Sequence, residues 1–361
     1  MAKVFKVTVL GAGNMGTAVA QHLAKLGHHV WLWDYNPETV VAIAREHENA
    51  QFLPGVKLSR RVVPEADMQK AVEGAIMVVI AVASPYVRTI ARQLGCCLST
   101  LLSHSESNTV KRRIPYNRAW DPSPAAQDDT VVVSHIAKGL EPKTNLTMHE
   151  VIQSELSAGL RRSVVTISGP SIAKEMVRGI PTAVVAAGSN ARARELVRTV
   201  LEAPTLKVAT SVDWKGVSIC GALKNVYAIA LGMCDGMQMT FNAKACLFTA
   251  ALAEMERMVC ALDGKHDTTY GLAGLGDMVV TGLGDGRNRA LGEQICKAGH
   301  CKFVWNKNAT THEGVAATKV FYDLARRKKL HAPLIAMVYH VLYRGADPCK
   351  VLTRFFSNCT F

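Results

Sequence analysis

The chain opens on an apolar run, Val4–Leu10, that passes straight into Gly11-x-Gly13-x-x-Gly16. A segment with helical apolar spacing, Met15–Leu26, follows, and after Gly27 a second apolar run, His29–Trp33. Strand, glycine turn, helix and strand in that order commit the opening to a βαβ unit, whose two strands must lie parallel. Further apolar runs at Met77–Val82, Thr130–His135, Val164–Ser168, Thr182–Ala187 and Leu206–Ala209 read as strands, with helical spacing between them, as at Glu38–Glu46. Most are continuously apolar, which marks strands covered on both faces. After about Thr210 the strand signals stop, and helical stretches follow at Trp214–Cys234, Ala243–Leu262, Asn288–Ala298, Gly314–Arg327 and Leu334–Tyr343. The expected fold is α/β: an N-terminal Rossmann-like, doubly wound, mostly parallel sheet over residues 1–210, then an all-α domain over 211–361. The 361 residues suit about two domains. Residues 99–129, rich in Ser, Asn, Pro, Asp and Arg and without apolar period, are expected to be an irregular surface insertion.

Composition narrows the function classes. The formal charge of +13 comes from small dispersed clusters, such as Arg60-Arg61 and Arg326–Lys329, with no aromatic-rich basic stretch. That pattern suits a solvated surface or a phosphorylated metabolite better than nucleic acid, which is not expected as a partner. Ten cysteines without a Cys-x-x-Cys pair read as free thiols in a reducing compartment, and no metal site is expected. No uninterrupted apolar run of about 18 residues suggests a membrane span. The N-terminal strand leaves no room for a signal peptide and the last three residues form no targeting motif, so a cytoplasmic protein is expected.

Several residues carry chemistry. Gly11, Gly13 and Gly16, with Asn14 and Met15 between them, would let backbone approach a pyrophosphate at a helix N-terminus, although a plain glycine turn is an alternative. Asp34 ends the second strand eighteen positions after Gly16, followed by Tyr35 rather than by a cation. A carboxylate there accepts from the adenine ribose hydroxyls and repels a 2′-phosphate, favouring NAD over NADP; capping the helix near Pro37 is the competing role. Lys224 and Asn225 sit in an almost wholly apolar helix, where Cys220, Gly221, Tyr227 and Ala228 at helical spacing offer no counter-charge. A buried lysine shifts toward neutrality and can exchange protons with a carbonyl or alcohol oxygen, whereas one that snorkels to water cannot. The run Gly271–Asp277 reads as a glycine loop whose Asp277 could pair with Lys224, and Arg287 beyond it can grip a phosphate. Lys138 and Ser171 follow strands, at the edge where such sheets bind ligands; a surface lysine and an N-cap serine are equally good accounts.

Together GAGNMG, FLPGVKL, AKGLE, GPSIAKE, ICGALKNVYAIALGM, GLAGLGD and GRNR resemble the NAD(P)-dependent glycerol-3-phosphate dehydrogenase family, from Val4 to about Phe355. The resemblance implies interconversion of dihydroxyacetone phosphate and sn-glycerol 3-phosphate with NAD(H), between carbohydrate and phospholipid metabolism, by a cytosolic homodimer. It makes Lys224 the catalytic lysine, with Asn225, Asp277 and Thr281 around it. Lys138, Gly169 and Ser171 become substrate contacts. Arg287 and Asn288 become the phosphate grip, with Arg287 also near cofactor. Tyr86, Ala173 and Glu313 fall on the cofactor side, and Thr311 lies two places before that glutamate. This sequence departs from the family in its longer 99–129 segment, in Ala83 where proline is common, in lacking a Cys after Thr281, and in Asp34 itself. A related lysine-dependent hydroxyacid dehydrogenase, and a non-enzymatic nucleotide- or nucleic-acid-binding protein on the same fold, are the alternatives.

Overall fold

The structure is a computed structural model that describes residues 3–107, 131–299 and 312–358. Eight strands form one sheet: β1 (Lys6–Leu10), β2 (His29–Trp33), β3 (Val62–Glu65), β4 (Met77–Ile80), β5 (Val132–His135), β6 (Val164–Ser168), β7 (Thr182–Ala187) and β8 (Leu206–Ser211). Their order is β3-β2-β1-β4-β5-β6-β7-β8. The pairs from β3 to β6 are parallel, and β7 turns antiparallel to β6 and then pairs in parallel with β8. The mostly parallel, doubly wound sheet is the one expected. β4, β5 and β6 are buried at every position; β4 is apolar throughout, while β5 and β6 also carry the buried polar residues Ser134, His135, Thr166 and Ser168.

β3 was not expected. Its four residues include Pro64, which cannot donate to a ladder. The strand survives because it lies at the sheet edge and pairs with β2 alone.

Strand order reverses between β1 and β4, which opens a crevice at their carboxyl ends. The loops after β1, β4, β5 and β6 gather along that edge, since the four strands run the same way. Helices pack on both faces of the sheet, with Asn14–Lys25 and Ala191–Leu201 contributing to one cluster and Val87–Ser107 and Met148–Glu155 to the other.

From Trp214 onward the described chain is helical, and its core surrounds Trp214–Gly236. That helix is long and apolar enough to cross a bilayer, yet its apolar window is buried entirely within the fold. Glycines let its neighbours come close: a Cβ on Gly232 would stand 1.9 Å from the Arg289 carbonyl oxygen, and one on Gly292 1.9 Å from that of Ile229. The helix Arg287–Ala298 is thereby laid directly along the central one.

Two expectations are corrected. Ser99–Ser107 continues the helix Val87–Ser107 rather than starting an irregular insertion; residues 108–129 lie outside the described residues. Gly271–Asp277 is not a loop: Leu272–Gly276 is a π-helical turn that leads into the helix Asp277–Leu283. At Gly274 the turn has no room for a side chain, a Cβ there standing 2.0 Å from the Thr269 carbonyl oxygen.

Candidate active site

The glycine turn is built by backbone. Gly11 has φ +113° and donates to the Trp33 carbonyl at 2.8 Å, which fastens the turn to the end of β2. A Cβ on Gly16 would stand 2.0 Å from the Gly11 carbonyl oxygen, so only glycine lets the helix start this close to β1. Gly13 is the N-cap of Asn14–Lys25, in extended conformation, with no side chain capping the first turn. A Cβ there would meet nothing within 4 Å. Open space in front of uncapped N–H groups fits a pyrophosphate, whose charge the helix N-terminus favours.

Asp34 closes the other wall of this turn. Its carboxylate accepts the Ala12 N–H at 2.8 Å and the Asn36 N–H at 3.0 Å. Asn36, not Asp34, caps the helix Pro37–Glu46, by accepting from the Glu38 N–H. The capping role considered for Asp34 therefore falls away; it braces the glycine turn and keeps further lone pairs for a ribose. Tyr35 beside it is 80% exposed, and Asn14 and Tyr86 are also exposed, while Met15 is half-buried and Ala173 is buried.

The second centre is built by side chains. Lys224 is 6% exposed and Asp277 1%. Lys224 Nζ donates to Asp277 Oδ1 at 2.5 Å and to Thr281 Oγ1 at 2.8 Å. The counter-charge missing from its own helix thus comes from Asp277–Leu283, where residues 277 and 281 share a face at i,i+4 spacing. Lys138 Nζ donates to the other carboxylate oxygen, Oδ2, at 2.6 Å. Lys138 lies three residues beyond β5, and its stem runs past Gly221, where a Cβ would crowd Ser168 Oγ at 3.2 Å.

One carboxylate between two ammonium groups leaves a net positive centre out of water. Burial lowers the Lys224 pKa to about 7; Asp277 opposes the fall and Lys138 adds to it. Burial acts against the Asp277 carboxylate as well, but the two lysines outweigh it and hold its pKa below the ordinary value. Burial also disfavours the Lys138 ammonium, yet Asp277 outweighs that and raises its pKa. Lys224 is the member of the trio poised to gain and lose a proton near neutrality.

Asn225, one position on, donates from Nδ2 to Glu313 Oε2 at 3.4 Å. Burial raises the Glu313 pKa, against the pull of Arg287, Lys138 and Lys224. Asn288 Oδ1 accepts the Gly314 N–H at 3.2 Å, and its amide NH₂ has no partner among the described residues. Arg287 is the exposed first residue of its helix, and its guanidinium has no hydrogen bond or ion pair among the described residues. Ser171 Oγ donates to the Gly169 carbonyl at 3.2 Å and does not cap a helix, since the N-cap of Ala173–Arg178 is Ile172. Thr311 lies outside the described residues.

Sequence reasoning missed two features. Ser168, the last residue of β6, places Oγ 3.5 Å from Asp277 Oδ2. Beneath it, Thr166 Oγ1 lies 2.9 Å from both His135 Nε2 and His149 Nδ1, and His149 stacks on Trp214 at 4.2 Å between ring centroids. This buried brace ties β5, β6 and the first turn of the lysine-bearing helix together. Burial pushes His135 down to about 4, so it serves as a neutral hydrogen-bonding group. A histidine in the apolar run before Lys138 was the one visible signal.

The fold and these two centres define a Rossmann-type dehydrogenase that combines a glycine turn with a buried lysine. The family profile described as NAD-dependent glycerol-3-phosphate dehydrogenase N-terminus matches residues 6–106 and 118–194, and that of the C-terminus matches 213–353. The glycerol-3-phosphate dehydrogenase (NAD(P)+) of Desulfotalea psychrophila is 36% identical over 94% of this chain and 93% of its own. That of Nitratidesulfovibrio vulgaris is 36% identical over 95% of each. The crystal structure of glycerol-3-phosphate dehydrogenase from Coxiella burnetii superposes with a TM-score of 0.82 at 29% identity, covering 98% of this chain and 99% of that one. The chain belongs to the NAD-dependent glycerol-3-phosphate dehydrogenase family.

Proposed function

We propose that the chain interconverts dihydroxyacetone phosphate and sn-glycerol 3-phosphate with NAD(H), using Lys224 as the acid–base group. The reaction class follows from family membership; it is an NAD(P)-dependent oxidoreductase. The observation that carries the residue roles is the trio Lys138–Asp277–Lys224, in which a buried lysine with a pKa near 7 is fixed by two partners.

A bound nicotinamide supplies or accepts the hydride. As the substrate carbonyl is reduced, its oxygen gains negative charge, and the Lys224 ammonium stabilises that charge and then donates its proton. In the reverse direction neutral Lys224 takes the hydroxyl proton. Asp277 and Thr281 hold Nζ in place, and Lys138 keeps Asp277 ionised and adds positive charge to the centre. Arg287 and the Asn288 NH₂, at the first turn of a twelve-residue helix, suit the substrate phosphate, whose binding energy orients the reacting carbon. Lys138, Gly169 and Ser171 complete the substrate side, and Asn225 stands with Asp277 and Thr281 around Lys224. Gly11, Gly13, Asn14, Met15, Gly16, Asp34, Tyr35, Tyr86, Lys138, Ala173, Arg287, Thr311 and Glu313 are assigned to the cofactor side. A sheet domain over 1–210, a helical domain over 211–361, and a cytosolic homodimer complete the reading; the placement rests on free cysteines and the lack of targeting signals, and the dimer on family resemblance.

The test is the loss of NADH, and separately of NADPH, when dihydroxyacetone phosphate is added to purified protein. Rapid NADH loss with much slower NADPH loss is expected, because Asp34 opposes a 2′-phosphate. Equal rates would retire that role for Asp34. No loss with either cofactor would overturn the proposed reaction.

A further inference from the structure

We infer that Cys296 and Cys349 form a dithiol site that an external small-molecule disulfide oxidises to an intramolecular disulfide, fastening the C-terminal helix to the helix that begins at Arg287. The two sulfurs lie 3.1 Å apart, one near the end of Arg287–Ala298 and the other in the first turn of Pro348–Asn358. A disulfide measures about 2.05 Å, so closure needs a movement of about 1 Å. Both cysteines are seated. Cys296 fills the space that glycine leaves at 236, where a Cβ would stand 2.6 Å from the Cys296 Cβ. Cys349 is fixed by Asp347 Oδ1, which accepts the Cys349 N–H at 2.9 Å and the Lys350 N–H at 3.0 Å. Among the described residues no other two thiols are hydrogen-bonded to each other.

The chemistry runs through exchange with a disulfide such as oxidised glutathione. Cys349, the more exposed of the two, attacks as thiolate; the glutathione S–S bond breaks and one glutathione thiolate leaves. Cys296 then loses its proton, attacks the Cys349 sulfur and displaces the second glutathione. Two protein thiols are oxidised, one glutathione disulfide is reduced to two thiols, and these take up the two protons. Burial, with the hydrogen bond to Cys349, pushes the Cys296 thiol up to about 12, which makes it the poorer first nucleophile of the two. The bond spans 53 positions of chain, so it constrains the unfolded state strongly. Cys296 lies about 13 Å along the helix from Arg287, and the site itself is left as it was.

The experiment incubates the full chain with oxidised glutathione, alkylates it without reduction and digests it with trypsin. The expected product joins the peptide 290–297 to the peptide 345–350, two hydrogens lighter than the free pair, and dithiothreitol reverses it. Cys301 and Cys234 fall on other tryptic peptides, so the linkage is read without ambiguity. Oxidation should raise Tm by about 5 °C and leave kcat within twofold. Cys296→Ser and Cys349→Ser should each abolish the linked peptide and the Tm gain. Alkylation of both thiols after treatment, separate glutathione adducts on each, or linkage of either to another cysteine would overturn the proposal.

Discussion

The cofactor turn and the proton-transfer centre solve one problem in opposite ways. The first places a charge-binding surface with backbone alone: contiguous residues from Gly11 to Gly16, a helix N-terminus, and one carboxylate that holds the turn from outside. The second places full charges out of water and assembles them from distant parts of the chain, Lys138 and Asp277 being 139 positions apart. Partial charges on backbone need no counter-ion, so the turn depends on shape. Buried ammonium groups need a carboxylate, so the other centre depends on charge balance. Damage at the turn should therefore appear in cofactor affinity, and damage at the centre in turnover.

The largest effect is expected from Lys224→Ala. Turnover should fall by about 10³-fold or more, while NADH still quenches protein fluorescence at unchanged concentration. Turnover that survives would remove Lys224 from the role of proton donor. Asp277→Asn comes next, with a fall of about 10²-fold. It leaves two buried ammonium groups facing a neutral partner, so the Lys224 pKa should drop further and the inflection in the kcat–pH profile should move to lower pH. An unmoved inflection would mean that Asp277 only packs. Gly16→Ala should act on the other side of the contrast. The added Cβ would stand 2.0 Å from the Gly11 carbonyl oxygen, and the helix must shift. Titration with NADH should show affinity weakened by about tenfold, with kcat at saturating cofactor within a fewfold of the parent. A loss confined to kcat would break the division between the two regions.

The same contrast explains what could be read from the sequence. The turn was legible because its parts are adjacent and its spacing is set by backbone geometry. Lys224 was legible because it is an isolated cation in an apolar helix, and Asp277 because an acid follows a run of glycines. That those glycines are helical was not legible: glycine ordinarily breaks helices, and only the packing of Gly274 on the Thr269 backbone shows why it is there. β3 was hidden by Pro64, which an edge strand tolerates. Ser168 and the His135–Thr166–His149 brace left no spacing signal, because their partners come from separate elements that only the fold brings together.

The most direct test of Lys224 as the acid–base group is the pH dependence of kcat/KM measured in both directions. Reduction of dihydroxyacetone phosphate needs the ammonium and oxidation of glycerol 3-phosphate needs the amine. With a Lys224 pKa of about 7, the reductive rate should fall as pH rises through that value and the oxidative rate should rise across the same inflection. Profiles that are flat between about pH 6 and 8, or that move in the same sense, would contradict the assignment.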